Sequence, residues 1–73
     1  MEKYSNKGRN SGVYSYEIGN DYIKVIFLGN SKIYQYSYQG EAGQSHVDNM
    51  KSLAKNGSGL NSYINSFVKF KND

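Results

Sequence analysis

The chain has 73 residues and a formal net charge of +3, which is the size of one small, mildly basic domain. It contains no cysteine, one histidine and no apolar run as long as a membrane span, so we expect neither disulfides, nor a metal site, nor a transmembrane helix. Eight residues are tyrosines, and a core that uses them must give each buried hydroxyl a hydrogen-bond partner.

Residues 1–12 are predicted to form a flexible N-terminal tail. This segment contains one aromatic residue and no periodic apolar pattern, so it cannot bury enough surface to offset the cost of ordering it. It also lacks the apolar stretch of a secretory signal. We therefore expect a cytoplasmic protein whose single domain covers residues 13–70.

Three short strands are predicted next, over Val13–Ile18, Tyr22–Leu28 and Lys32–Tyr38. All three are rich in the β-branched and aromatic residues that suit a pleated surface. Gly19-Asn20-Asp21 and Gly29-Asn30-Ser31 supply the turn chemistry between them. Connections this short make the neighbouring strands antiparallel.

The first turn predicts a register for the first hairpin. With a two-residue loop at Asn20-Asp21, apolar and aromatic residues pair on one face and a charged pair lies on the other. The expected pairs are Ile18 with Ile23, Tyr16 with Val25, Tyr14 with Phe27 and, on the opposite face, Glu17 with Lys24.

The second turn leaves two registers open. A two-residue loop places Tyr34 opposite Phe27 and Tyr36 opposite Val25, on the face of the apolar pairs of the first hairpin. A three-residue loop sends both tyrosines to the other face. We favour the two-residue loop, because the polar residues of the third strand then point to the more polar face.

Two helices are predicted after the meander. The first covers about 45–56, with Ser45 as N-cap, Asp48 at position N3 and Gly57 as the left-handed residue after its end. The second follows a cap at Ser58 and has an unbroken helical stripe of apolar residues. The stripe consists of Leu60, Tyr63, Ile64, Phe67 and Val68. The predicted fold class is therefore α+β, a three-stranded antiparallel β-meander followed by two α-helices packed on one sheet face.

Two motifs, in this order, resemble the KTSC domain, a family named after the C-terminal end of some lysyl-tRNA synthetases. Tyr34-Gln35-Tyr36 is similar to the Tyr-x-Tyr of the family's β-meander, and Gly59-Leu60-Asn61-Ser62-Tyr63-Ile64 is similar to its Gly-aromatic/aliphatic-Asn-x-x-Ile pattern. The chain lacks the proline that often follows the meander and has a longer segment between the motifs, so it resembles a divergent member. The resemblance implies a KTSC-type fold and suggests RNA binding.

Two functions compete on this evidence. In the first, the chain is a small binding module for RNA or another polyanion, in which lysines contact phosphates and exposed tyrosines stack bases. The candidate residues are Tyr34, Tyr36, Lys51, Lys55, Asn61 and Lys69. The competing interpretation, which we favour for the two tyrosines, is a core position beneath the helices. A ring that supports a helix is not free to stack a base.

In the second function, the chain is a protein-interaction or homodimerisation module that binds no nucleic acid. It would use an apolar patch on the outer sheet face, because large exposed patches of this kind mark interfaces. The predicted patch consists of Val13, Tyr22, Ile26, Leu28 and Ile33. We expect no enzyme activity and no cofactor, since His46 has no cysteine and no suitably placed acid to act with.

Overall fold

The computed structural model describes residues 1–7 and 12–73, and it contains an antiparallel sheet of four strands covered on one face by two helices. The strands lie side by side in chain order: β1 (Glu2–Lys3), β2 (Val13–Ile18), β3 (Tyr22–Phe27) and β4 (Ile33–Ser37). Helix α1 spans Gly43–Asn56, and α2 spans Leu60–Tyr63 and continues directly into a π-helical turn over Ile64–Val68. The predicted α+β class is confirmed, with four strands in place of three.

The additional strand comes from the segment predicted to be a tail. β1 pairs with β2, and the Lys7 N–H donates to the Gly57 carbonyl at 2.7 Å. Between these contacts Tyr4 is buried, and its hydroxyl accepts a hydrogen bond from the Leu60 N–H at 3.2 Å. The prediction of a tail relied on the polar composition of the whole segment and did not account for burial of the single ring of Tyr4. Residues 8–11, which the same prediction included, lie outside the described residues.

The first hairpin has the predicted register near its turn and a β-bulge at its other end. The confirmed pairs are Ile18–Ile23, Tyr16–Val25 and Glu17–Lys24. The register then shifts between Val13 and Ser15, so that Val13 lies opposite Phe27 in the position predicted for Tyr14. A bulge inserts one residue into one strand and reverses the facing of the residues beyond it. Val13 is therefore buried, whereas Tyr14 is 50% exposed.

The second hairpin keeps the predicted faces but not the predicted pairs. Tyr34 lies opposite Val25 and Tyr36 opposite Ile23, a shift of two residues from the expected partners. The connection is also longer than predicted, because β4 begins only at Ile33. Since side chains alternate across a sheet with a period of two, this shift leaves both tyrosines on the expected face.

Of the three predicted cap residues, Ser45 and Ser58 are wrong and Gly57 is confirmed. Helix α1 begins directly after Ala42, so Ser45 lies inside its first turn, and Ser58 does not cap α2; neither described helix start has a side-chain cap bond. Gly57 ends α1 as predicted, with a φ of 75° in the left-handed region. A Cβ at Gly57 would also lie 2.5 Å from that of Ser5, so the packed N-terminal segment requires glycine there as well.

The helices contribute a narrower apolar stripe to the core than predicted. Leu60, Ile64 and Val68 are buried, whereas Phe67 is exposed. The π turn accounts for this difference, because its hydrogen bonds join residues five apart and the chain winds more slowly around the axis. Phe67 lies three residues after Ile64, and the smaller rotation per residue leaves its side chain pointing away from the core. The other large buried side chains are Tyr4, Val13, Ile23, Val25, Tyr36, Val47 and Met50.

Replacing Tyr4 with phenylalanine should lower the free energy of unfolding by about 1–3 kcal/mol, because the Leu60 N–H would be left buried without a partner. Urea unfolding followed by far-ultraviolet circular dichroism measures this loss. Tyr14→Phe is the matched control: its ring is half exposed, and we expect a change within about 0.5 kcal/mol. Equal stability of the two variants would show that the Tyr4 hydroxyl does not hold the start of α2.

Candidate nucleic-acid interface

A cleft of about 510 Å³ opens at one end of the core, between the β3–β4 hairpin and the π turn with the segment that follows it. Its sheet wall consists of Phe27, Leu28, Asn30, Lys32, Tyr34 and Tyr36. Its other wall consists of Ile64, Asn65, Lys69, Phe70 and Asn72. The cleft thus combines aromatic rings, side-chain amides and two lysines, which are groups able to stack on a base, hydrogen-bond to its edge and contact a phosphate.

Aromatic rings provide most of the apolar surface of the cleft. Phe27 and Tyr34 pack edge to face with their centroids 5.4 Å apart. Tyr36 is only 1% exposed and lies beneath the helices, whereas Tyr34 is partly exposed where their cover ends. On the facing wall Phe70 is 83% exposed. Two walls that each present a ring can hold a planar group by stacking.

A lysine lies over an aromatic ring on each wall. The Lys32 ammonium is 4.9 Å from the centroid of Tyr34, and the Lys69 ammonium is 5.5 Å from that of Phe70. The Asn30 side chain accepts a hydrogen bond from the Lys32 N–H at 2.9 Å, which shapes the turn that carries this lysine. A positive charge thus lies at a ring face on each wall. A base that stacks on that face displaces the flexible lysine, which can then contact the attached phosphate.

The segment after the π turn is fastened to the edge of β4. The Asp73 N–H donates to the Gln35 carbonyl at 2.7 Å, and the Asp73 carboxylate accepts from the Ser37 N–H at 3.3 Å and from the Gln35 amide at 3.1 Å. These bonds hold Phe70 and Asn72 at the cleft. They also cover part of a strand edge that the predicted meander would leave open.

The structure brings three of the six predicted binding residues to the cleft, namely Tyr34, Tyr36 and Lys69. Tyr36 occupies the core position that the competing interpretation assigned to it. Tyr34 lies on the same face but at its margin, where the cleft reaches its ring. Tyr36 is thus a core residue, whereas Tyr34 packs against the core and also lines the cleft.

The other three predicted binding residues lie elsewhere. Lys51 donates to the Tyr38 hydroxyl at 3.2 Å and lies 4.0 Å from the Asp48 carboxylate, so it joins α1 to the sheet at some distance from the cleft lining. Lys55 is exposed in the last turn of α1. Asn61 is partly buried in the first turn of α2.

The residues predicted for an interaction surface do not all share the outer sheet face. Val13 faces the core because the bulge reverses its orientation, which corrects its assignment to the patch. Tyr22 and Ile26 are partly buried. Leu28 and Ile33 are 56% and 50% exposed, so this part of the patch is accessible.

Sequence reasoning missed Lys32 and Phe70 as cleft residues. For Lys32 a signal existed, because it precedes Tyr34 by two positions and residues two apart in a strand share a face. Phe70 gave no comparable signal, since it lies outside the helical stripe, in a segment that bonds to β4 through Asp73.

His46 belongs to a contact between the two helices. Its Nδ1 atom lies 2.6 Å from the Tyr63 hydroxyl, which also accepts a hydrogen bond from the Asn49 amide at 3.1 Å. Its ring stacks on Phe67 with the centroids 5.7 Å apart. These contacts give His46 a place in the packing of α1 against α2.

Within the described residues, no group of three or more His, Cys, Asp or Glu side chains could hold a metal ion. In that same part of the chain no helix is both long enough and apolar enough to cross a membrane. Comparison of the chain with protein-family models, with curated proteins and with solved structures finds no match. The resemblance to the KTSC domain therefore stays a prediction.

Burial raises the pKa of Tyr36 to about 12, with a smaller contribution from the neighbouring Tyr34. In the unfolded chain the pKa is about 10, so the folded state holds this proton more tightly. The resulting contribution to stability is complete below about pH 10 and is lost as the pH rises toward 12.

We expect Tyr36 to account for a fall of about 1–2 kcal/mol in the free energy of unfolding across this interval, because solvent screens part of the effect of burial. Tyr36→Phe should therefore show a shallower fall than the wild type in urea unfolding curves recorded at a series of alkaline pH values. Phe67→Leu should keep the wild-type slope, because it changes an exposed side chain and removes no ionisable group. An unchanged slope in Tyr36→Phe would contradict this account of its burial.

Proposed function

We propose that the chain is a small binding module for single-stranded RNA and that the cleft is its binding site. One observation carries this proposal: Lys32 and Lys69 each lie over an aromatic ring, on facing walls of the same cleft. Stacking on a ring contributes about 1–3 kcal/mol per base, and a lysine beside the ring neutralises the attached phosphate.

The shape of the cleft favours an unpaired strand over a duplex. Bases in a duplex are stacked on each other, so their faces cannot reach Tyr34 or Phe70 inside a cleft. An unpaired base can enter between the walls and present its edge to polar side chains. Asn65 and Asn72 line the cleft, and each amide both donates and accepts hydrogen bonds.

The resemblance of Tyr34-Gln35-Tyr36 to the KTSC motif supports the same proposal, since RNA binding is suggested for that family. We therefore treat the chain as a divergent KTSC-like module that acts in the cytoplasm, by binding and without catalysis or a cofactor. Its ligand contacts would be electrostatic and stacking contacts, which require no reactive group.

Lys32→Gln and Lys69→Gln should each weaken binding of a short oligouridine and reduce the slope of log affinity against log salt by about 0.7. Fluorescence anisotropy titrations at several salt concentrations measure both quantities. Lys55→Gln is the matched control, because Lys55 is an exposed lysine outside the cleft lining. If Lys55→Gln changed the slope as much as the cleft variants, binding would depend on net charge and not on the cleft.

A second candidate function is homodimerisation through the outer sheet face. The observation that favours it is the exposure of Ile33 on that face and of Leu28 in the turn that follows β3. Apolar surface of this kind marks interfaces, and a small domain gains stability when a second copy covers it. This function needs no nucleic acid.

If the chain dimerises in this way, Ile33→Lys should convert the dimer into a monomer, because a charge would be buried without a partner. Sedimentation equilibrium at low and high salt measures the mass. Phe67→Lys is the control, since Phe67 is equally exposed but lies on the helices. A wild-type chain that is a monomer at all accessible concentrations would rule out this second function.

A further inference from the structure

A second hollow, of about 570 Å³, lies next to the cleft along the β3–β4 loop. It is lined by Tyr14, Ile26, Phe27, Leu28, Gly29, Asn30 and Ser31. Three of these residues, Phe27, Leu28 and Asn30, also line the cleft. The two concavities therefore share a wall, and one extended ligand can occupy both by crossing the loop.

The β-bulge in β2 turns a large ring toward this hollow. Without the bulge, Tyr14 would lie opposite Phe27 on the core face; with it, Val13 takes that place and Tyr14 is half exposed. Bulges commonly re-aim a side chain beside a functional site. The hollow thus presents an aromatic ring in the position that a second stacked base requires.

The loop between the two concavities leaves its backbone accessible. Gly29 has a φ of 76°, and a Cβ built on it would meet no atom within 4 Å. A ligand backbone can therefore pass close to the protein backbone at this point. The lining of the hollow, as far as the structure describes it, contains no lysine, whereas the cleft contains Lys32 and Lys69.

We infer that one RNA strand crosses the loop at Gly29, with one base in the cleft and a neighbouring base stacked on Tyr14. Because the described residues that line the hollow include no cation, we assign base stacking to the hollow and the phosphate contacts to the cleft. This inference rests on the proposed function, and it deepens that function by assigning a second base position and a path for the strand.

The second base position can be tested by nuclear magnetic resonance titration of the whole 73-residue chain. The two ligands are uridine monophosphate and a uridine trinucleotide. The mononucleotide should shift the amide signals of cleft residues, Lys32 and Lys69 among them, and leave those of Tyr14 and Gly29 in place. The trinucleotide should also shift those of Tyr14 and Gly29. Tyr14→Leu should leave mononucleotide affinity unchanged and weaken trinucleotide binding about tenfold, whereas Tyr14→Phe should bind both as the wild type does.

Phe67→Leu is the matched control, because it removes an exposed ring that lines neither concavity. If both ligands shift the cleft signals while those of Tyr14 and Gly29 stay in place, the second base position is wrong and the proposed function stands. If Tyr14→Leu weakens both ligands equally, Tyr14 acts through the fold, and the inference fails again. If neither ligand shifts any signal, the proposed function fails together with the inference.

Discussion

The structure depends on one requirement, which is that the hydroxyl of each tyrosine at the core must find a partner or reach the surface. Tyrosines occur both in the buried core and among the side chains packed against it, so the requirement recurs, and three tyrosines meet it by bonding to a different element. Tyr4 joins the N-terminal segment to the start of α2, Tyr38 joins the end of the sheet to α1, and Tyr63 joins the two helices. Each ring therefore supplies apolar area and a specific link between elements.

The cleft follows from where this packing stops. The helices cover Tyr36 completely and leave Tyr34 partly exposed. In the π turn the second helix rotates less per residue as it leaves the core. The following residues then return to the edge of β4, so Lys69 and Phe70 face the margin of the sheet. An accessible aromatic surface thus arises at the boundary of the core, and the helix cover and the site share one sheet face.

The features that could be predicted from the sequence are those set by local patterns. Alternation placed Tyr34 and Tyr36 on the correct face even though their partners were wrong, because a shift of two residues preserves the face. Gly57 was identified because a helix end favours a left-handed glycine. The position of Tyr4, the bulge at Val13 and the π turn escaped prediction, since each is decided by contacts between residues far apart in the chain.

The two edges of the sheet differ in how they are protected. On one side β1 is only two residues long and presents the exposed charges of Glu2 and Lys3, and on the other Asp73 occupies the backbone groups of Gln35 and Ser37. Short, charged or covered edges discourage the strand-to-strand addition that leads to fibrillar aggregation. Tyrosine has high β propensity, and the chain contains eight tyrosines, so protection of both edges limits the addition of a strand from a second molecule.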